Sequence, residues 1–157
     1  MTFNACSFTG HRAIDPKVTG RLVDLIDRAI AYVYDRGCRV FYNGGAVGFD
    51  ILTARRVLLF KLSHPDVTLN MLLPCRNQSE RWSDSDVSAY EHVLASADTV
   101  EYLADGYYDG CMRARNAELV RRCDVLVAYV GKAMGGSAQT LRMARAAGKT
   151  AYNLFGK

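Results

Sequence analysis

Residues 39–50 read RVFYNGGAVGFD, Arg39 to Asp50. Val40, Phe41 and Tyr42 are β-branched or aromatic and stop at Asn43-Gly44-Gly45, which is how a strand runs into a glycine loop. Three glycines, Gly44, Gly45 and Gly48, fall within five positions. Beyond Asp50 the apolar residues Ile51, Leu52, Ala54, Val57, Leu58 and Leu62 recur at helical spacing, so the loop delivers the chain into a helix start. Strand, bare loop and helix N-terminus together predict an anion site. The first-turn N–H groups have no partner inside the helix, the helix dipole adds partial positive charge, and glycine lets a phosphate approach the main chain. The same residues also suit a tight turn that holds no ligand, and it is the presence of similar loops elsewhere in the chain that favours the anion site.

With 157 residues, half of them hydrophobic, the chain is long enough for one domain with a substantial core, and a single domain over residues 1–157 is expected. The net charge of +4 suits a phosphate-bearing small ligand and is too weak to argue for a nucleic-acid partner. The apolar run Phe3 to Phe8 contains Asn4 and Ser7 and lacks a basic leader, so neither a signal peptide nor a membrane span is expected, and the location expected is cytoplasmic. Five scattered cysteines without a C-x-x-C pair predict reduced, structural thiols. His11, His64 and His92 stand far apart, so no metal site is predicted.

Taken in order, strands and helices alternate. Strands are predicted at Phe3–Phe8, Val40–Tyr42, Val67–Leu73, Thr99–Leu103, Asp124–Val130 and Thr150–Leu154. Between them lie a helix carrying Val18, Leu22, Leu25, Ile26, Ala29, Ile30 and Val33 and ending at Gly37, and a second running to about Ser63. A loop-then-helix segment covers Arg76–Ala97, an arginine-rich helix Met112–Cys123, and a last helix Ser137–Ala147. Repeated βα units predict an α/β, Rossmann-like, doubly wound and mainly parallel sheet with helices on both faces. Ligands of such sheets bind beyond the carboxyl ends of the strands.

Four segments are predicted to line one cleft there. Thr9-Gly10-His11-Arg12 follows the first strand; Arg12 suits bidentate recognition of phosphate, and Thr9 can donate a hydrogen bond. The loop Gly44, Gly45, Ala46 and Gly48 leads to Asp50, which either complements the helix dipole or faces a ribose hydroxyl; the sequence leaves both open. In YYDGCMRARN, Arg113 and Arg115 lie two apart on a helix and point in different directions, so at most one of them faces the cleft squarely, and spacing alone does not choose between them. Gly135, Gly136, Ser137 and Thr140 repeat the device of glycines before a helix start. Neither glycine loop is a Walker or G-x-G-x-x-G sequence, which argues against an ATPase or an ordinary dehydrogenase, and no cofactor is required. Trp82 and Tyr107 are placed as aromatics able to stack on a base, and Tyr90 on the apolar face of its helix.

The ordered set TGHR (9–12), NGGAVGFD (43–50), Pro74 with Trp82, CMRARNAELV (111–120), CDVLVAYV (123–130) and GGSAQT (135–140) resembles the SLOG superfamily, and within it the YspA/YpsA-like branch of small bacterial and phage proteins. The resemblance implies a Rossmann-like fold and a nucleotide or nucleotide-derived ligand. It relates the chain to the Lonely Guy phosphoribohydrolases and to the DNA-processing protein DprA. Against the phosphoribohydrolase motifs, Arg115 matches while Asn116 replaces a lysine, and this resemblance assigns Arg115, with Asn116, to the cleft in preference to Arg113; in Met134–Gln139 the third glycine is Ala138 and the threonine Gln139. The acid those enzymes carry falls on Leu141 or Arg142. Cleaving an N-glycosidic bond calls for a carboxylate, and Asp50 or Glu118 could serve only if the fold sets one of them beside the ribose. The expectation is therefore a ligand-binding or sensor module. N-glycoside hydrolysis or phosphoribosyl transfer, with Arg115, Asp50 or Glu118 as candidate catalytic residues, is the first alternative; a DprA-like nucleic-acid binder is the second. Relatives are often dimers or larger, so a homo-oligomer is also open. Base identity and phosphate number are not readable from the chain.

Overall fold

A computed structural model describes residues 1–157. Six strands, β1 (Ala5–Gly10), β2 (Val40–Asn43), β3 (Thr68–Leu73), β4 (Thr99–Tyr102), β5 (Val125–Tyr129) and β6 (Thr150–Asn153), form one sheet in the order β4-β3-β2-β1-β5-β6. Every pairing is parallel. The crossovers are α1 (Thr19–Asp35), α2 (Phe49–Ser63), α3 (Asp84–Ser96), α4 (Cys111–Arg122) and α5 (Gly136–Ala146). From β1 the chain steps outward to β4 and then returns to the far side of β1, so the loops after β1 and β5 diverge. Such a reversal opens a crevice at the carboxyl edge.

Side-chain alternation divides the core between the two faces. Val125, Val127 and Tyr129 of β5 pack in the larger cluster, with Leu22, Ile26, Ile30 and Val33 of α1 and Ala54 and Val57 of α2. Leu126 and Ala128 face the other way, against Val120 of α4 and Ala138, Leu141 and Ala144 of α5. The four α1 residues are all at most 2% exposed, and each such burial is worth about 2 kcal/mol. Asp15 starts this segment by accepting a hydrogen bond from Lys17 N–H at 2.9 Å, with Pro16 in the first turn, and Gly37 ends it at φ +100°.

The predicted elements form in order, with one shift that matters to the site. β1 begins at Ala5 rather than Phe3 and runs on through Thr9 and Gly10, which had been assigned to a loop. Thr9 pairs with Ala128 and Gly10 with Tyr129, because a central strand flanked on both sides keeps pairing as far as its neighbour extends. Gly10 can end it there because the Phe49 ring occupies its side-chain space: a Cβ would lie 2.4 Å from that ring.

Candidate functional site

The carboxyl edge is drawn together at His11. Its backbone N–H donates to Tyr129 O at 3.2 Å and its carbonyl accepts from Phe49 N–H at 3.0 Å, joining β1 to the end of β5 and the start of α2. Gly131 N–H donates to His11 Nε2 at 2.7 Å, so that nitrogen carries no proton and Nδ1, 3.4 Å from Ser137 Oγ, is the protonated one. Partial burial and the nearby Lys132 ammonium hold the imidazole pKa below its ordinary value, in keeping with a neutral ring.

The glycines of the Asn43–Asp50 loop turn inward, contrary to the expectation that they admit a phosphate. A Cβ on Gly44 would meet the Arg115 guanidinium at 2.6 Å, one on Gly45 the Leu73 side chain at 2.8 Å, and one on Gly48 the Arg12 carbonyl oxygen at 2.2 Å. Gly45 and Gly48 also hold φ of +70° and +86°, a backbone region open to glycine. Asn43, fully buried, fixes the loop: Nδ2 donates to Asp50 O at 2.8 Å and to Thr53 Oγ1 at 3.0 Å, while Oδ1 accepts from Gly45 N–H at 2.9 Å. The loop's contribution to the cleft is Ala46 and Asp50.

The entry to α5 is different. Gly135 caps it at φ +111° with no side-chain bond to the first turn, and a Cβ there would meet nothing within 4 Å. Gly136 and Ser137, in the first turn of α5, border a cavity of about 250 Å³, and first-turn N–H groups have no partner inside their helix. Thr9, Gly10, His11 and Arg12 line it from β1, Ala46 and Asp50 from the α2 entry, Arg115 and Asn116 from α4, and Gly135, Gly136 and Ser137 from α5. Met112, Lys132 and Met134, which the sequence reading passed over, complete the lining. Lys132 could have been found by the argument that selected Arg12, a cation in the loop after a central strand. Met112 sits one turn before Arg115 on the same helix.

Two oppositely charged side chains meet in this cavity. Arg115 is 4% exposed and Asp50 5%. Arg115 Nη1 donates to Gly44 O and Nε to Asn116 Oδ1 at 2.8 Å, leaving Nη2 with the Met112 sulfur at 3.8 Å. Asp50 Oδ2 accepts from Ala46 N–H at 3.2 Å, and its Oδ1 takes no hydrogen bond within the chain. No cationic nitrogen lies within 4.0 Å of the carboxylate. Burial raises the Asp50 pKa to about 6 against the opposing pull of Arg115, the Ala46 N–H and Arg12. Burial likewise lowers that of Arg115, with Asp50 opposing.

The remaining candidates lie outside the cavity. Glu118 is held by Arg121 at 2.8 Å and Arg122 at 2.9 Å, which bring its carboxyl down to about 2. Thr140 is fully buried and returns its hydroxyl to Gly136 O at 2.8 Å. Trp82 packs edge-to-face on Tyr90 with ring centroids 5.0 Å apart, and Tyr90 itself is buried. Tyr107 is 61% exposed, with its backbone N–H on Asn77 Oδ1. No Phe, Tyr or Trp lines the cavity. Arg113 is exposed, as helical geometry required once Arg115 turned inward. No helix is long and apolar enough to cross a membrane.

Comparison with known proteins gives a consistent picture. The model of the YspA SLOG family matches residues 8–155. A UPF0398 protein of Halalkalibacterium halodurans is 27% identical over 122 residues, covering 76% of this chain and 65% of that protein. Another, from Bacillus pumilus, is 30% identical over 79% of this chain and 63% of its own. The chain thus spans less than two thirds of the length of these relatives. Among solved structures, DNA processing protein A from Helicobacter pylori, described with a single-stranded DNA binding mode, superposes with TM-score 0.66 at 21% identity, over 96% of this chain and 64% of that one. DprA from Streptococcus pneumoniae gives 0.68 at 14% identity, over 99% and 51%. At these identities the likeness is one of fold.

Proposed function

The chain belongs to the YspA SLOG family, and from that premise we propose that it binds a nucleotide or nucleotide-derived small molecule by its phosphate, as a ligand-binding or sensor module of the cytoplasm. The observation that carries this reading is the convergence of Arg12, Arg115 and Lys132 with the uncapped first turn of α5 on one small polar cavity. An arginine buried without a carboxylate partner is costly unless an anion compensates it, and helix N–H groups at the positive end of a dipole supply the complementary donors. The phosphate is assigned to the Gly135–Ser137 turn. The Gly44–Gly48 loop supports the site from behind by giving Arg115 its berth.

Thermal melts across nucleoside monophosphates, ADP-ribose and NAD test this. A ligand at about 100 times its Kd stabilises by about 2.7 kcal/mol, which for a domain of this size raises Tm by roughly 5–10 °C. The double variant Arg12→Ala/Lys132→Ala should lose most of that rise. A flat response to the whole panel by the unmodified protein contradicts the proposal.

N-glycoside hydrolysis is the second reading, and one observation favours it: Asp50 is the one acidic residue lining the cavity. Incubation with nucleoside monophosphates followed by chromatography decides it, since a pure binder releases no free base. The single-stranded DNA binding of one fold neighbour raises a third reading, for which a salt-dependent gel shift is the check.

A further inference from the structure

Asp50 and Arg115 are each about nineteen-twentieths buried beside one cavity and yet do not pair. Opposite charges this poorly solvated attract strongly. Each is held back by its own tethers: Asp50 Oδ2 by the Ala46 N–H, Arg115 by the Gly44 carbonyl and Asn116 Oδ1. What remains is one carboxylate oxygen with no partner in the chain and one guanidinium nitrogen facing only a methionine sulfur.

An unmatched acceptor and an unmatched donor bordering the same space set a condition on the ligand. Its anionic part belongs with Arg115, Arg12, Lys132 and the α5 turn. The part nearest Asp50 must be a neutral donor, because a second anionic group would be repelled. A sugar hydroxyl a few bonds from a phosphate satisfies both. The cavity, about 250 Å³, falls just below the roughly 300 Å³ at which pockets for drug-sized ligands begin, and no aromatic ring lines it to grip a base.

We propose that Asp50 Oδ1 is the specificity-determining acceptor for the ribose diol of the ligand, so that the site reads a phosphorylated ribose and is indifferent to the base. This rests on the phosphate-binding reading above and adds the sugar to it. Discrimination arises because a bound deoxy ligand would cover the cavity-facing carboxylate oxygen without matching it, which typically costs about 10- to 100-fold in affinity.

The test measures binding by titration calorimetry at pH 8 for AMP, UMP, ribose 5-phosphate, 2′-deoxy-AMP, 3′-deoxy-AMP and inorganic phosphate. The expected result is AMP, UMP and ribose 5-phosphate within a few-fold of one another, and at least one deoxy compound about 10-fold or more weaker. Asp50→Ala should erase the ribo-to-deoxy ratio; Asp50→Asn provides a second, more conservative variant. Equal binding of ribo and both deoxy ligands by the unmodified protein overturns the inference and needs no variant to be folded. An unchanged ratio in a folded Asp50→Ala protein also overturns it, while the phosphate reading survives. If no phosphate compound binds at all, the earlier reading fails and this one falls with it.

Discussion

Arg115 reaches across from α4 to donate a hydrogen bond to the Gly44 carbonyl, and its guanidinium fills the space a side chain at Gly44 would need. Helix α4 and the loop leading into α2 are therefore coupled through one contact. Gly44→Ala places a methyl 2.6 Å from Nη1 and must displace the arginine. Phosphate-ligand affinity is expected to fall about 10-fold or more, with a stability loss of about 1–3 kcal/mol for the overpacked interior, as measured by titration calorimetry and urea unfolding. Unaltered affinity would show that Arg115 is not a ligand group.

Asp50 makes a prediction about pH. Burial raises its pKa in the folded chain to about 6, above the ordinary 3.8 of an aspartate. A carboxyl raised on folding binds more protons in the native state than in the unfolded chain between those values, so its contribution to stability is fully present below about pH 4 and is lost as pH rises through about 6. Asp50→Asn removes that loss. The unliganded variant should melt higher than the parent at pH 7.5, by on the order of 2 kcal/mol, with the gain shrinking below pH 6 and gone near pH 4. A gain that does not vary with pH would point to packing instead of ionisation.

Glu118 serves as the contrast. Paired with Arg121 and Arg122 and absent from the cavity lining, it is predicted to leave ligand affinity unchanged when replaced by glutamine, with Tm lowered by no more than about 2 °C. Loss of binding in that variant would restore it as a site residue.

His11 is expected to stay neutral through the physiological range. With Gly131 N–H donating to Nε2 and burial disfavouring the charge, its pKa lies below the ordinary 6.5. Imidazole nitrogen shifts in a ¹⁵N NMR titration should show an unprotonated Nε2 at pH 7 and a midpoint below that value; a midpoint above it contradicts the bridging geometry.

Much of this was legible from residue order. Apolar spacing marked out the helices, and the unbroken apolar run Val125–Tyr129 is buried throughout, as a strand covered on both faces must be. Helical geometry allowed only one of Arg113 and Arg115 to face the cleft, since residues two apart cannot share a direction, and the family's arginine motif picked out Arg115. What the sequence could not separate was a glycine that makes room for a ligand from one that makes room for the protein's own atoms. Gly44, Gly45 and Gly48 are of the second kind, because Arg115, Leu73 and the Arg12 backbone arrive from distant elements. Thr9 and Gly10 read as loop residues by type, yet pairing with Ala128 and Tyr129 holds them in the strand. Trp82 shows the same limit: by type its ring can stack on a base, whereas Tyr90 offers it a packing partner.

The most direct test of the phosphate assignment is a ¹H–¹⁵N NMR titration with AMP that follows the backbone amides of Gly136 and Ser137. The account predicts saturable downfield shifts at both, as free N–H groups acquire an anionic acceptor, with little movement at Gly45, whose N–H is already bound to Asn43. Saturable shifts confined to Gly44, Gly45 and Gly48, or none at the α5 turn at saturating AMP, would contradict it.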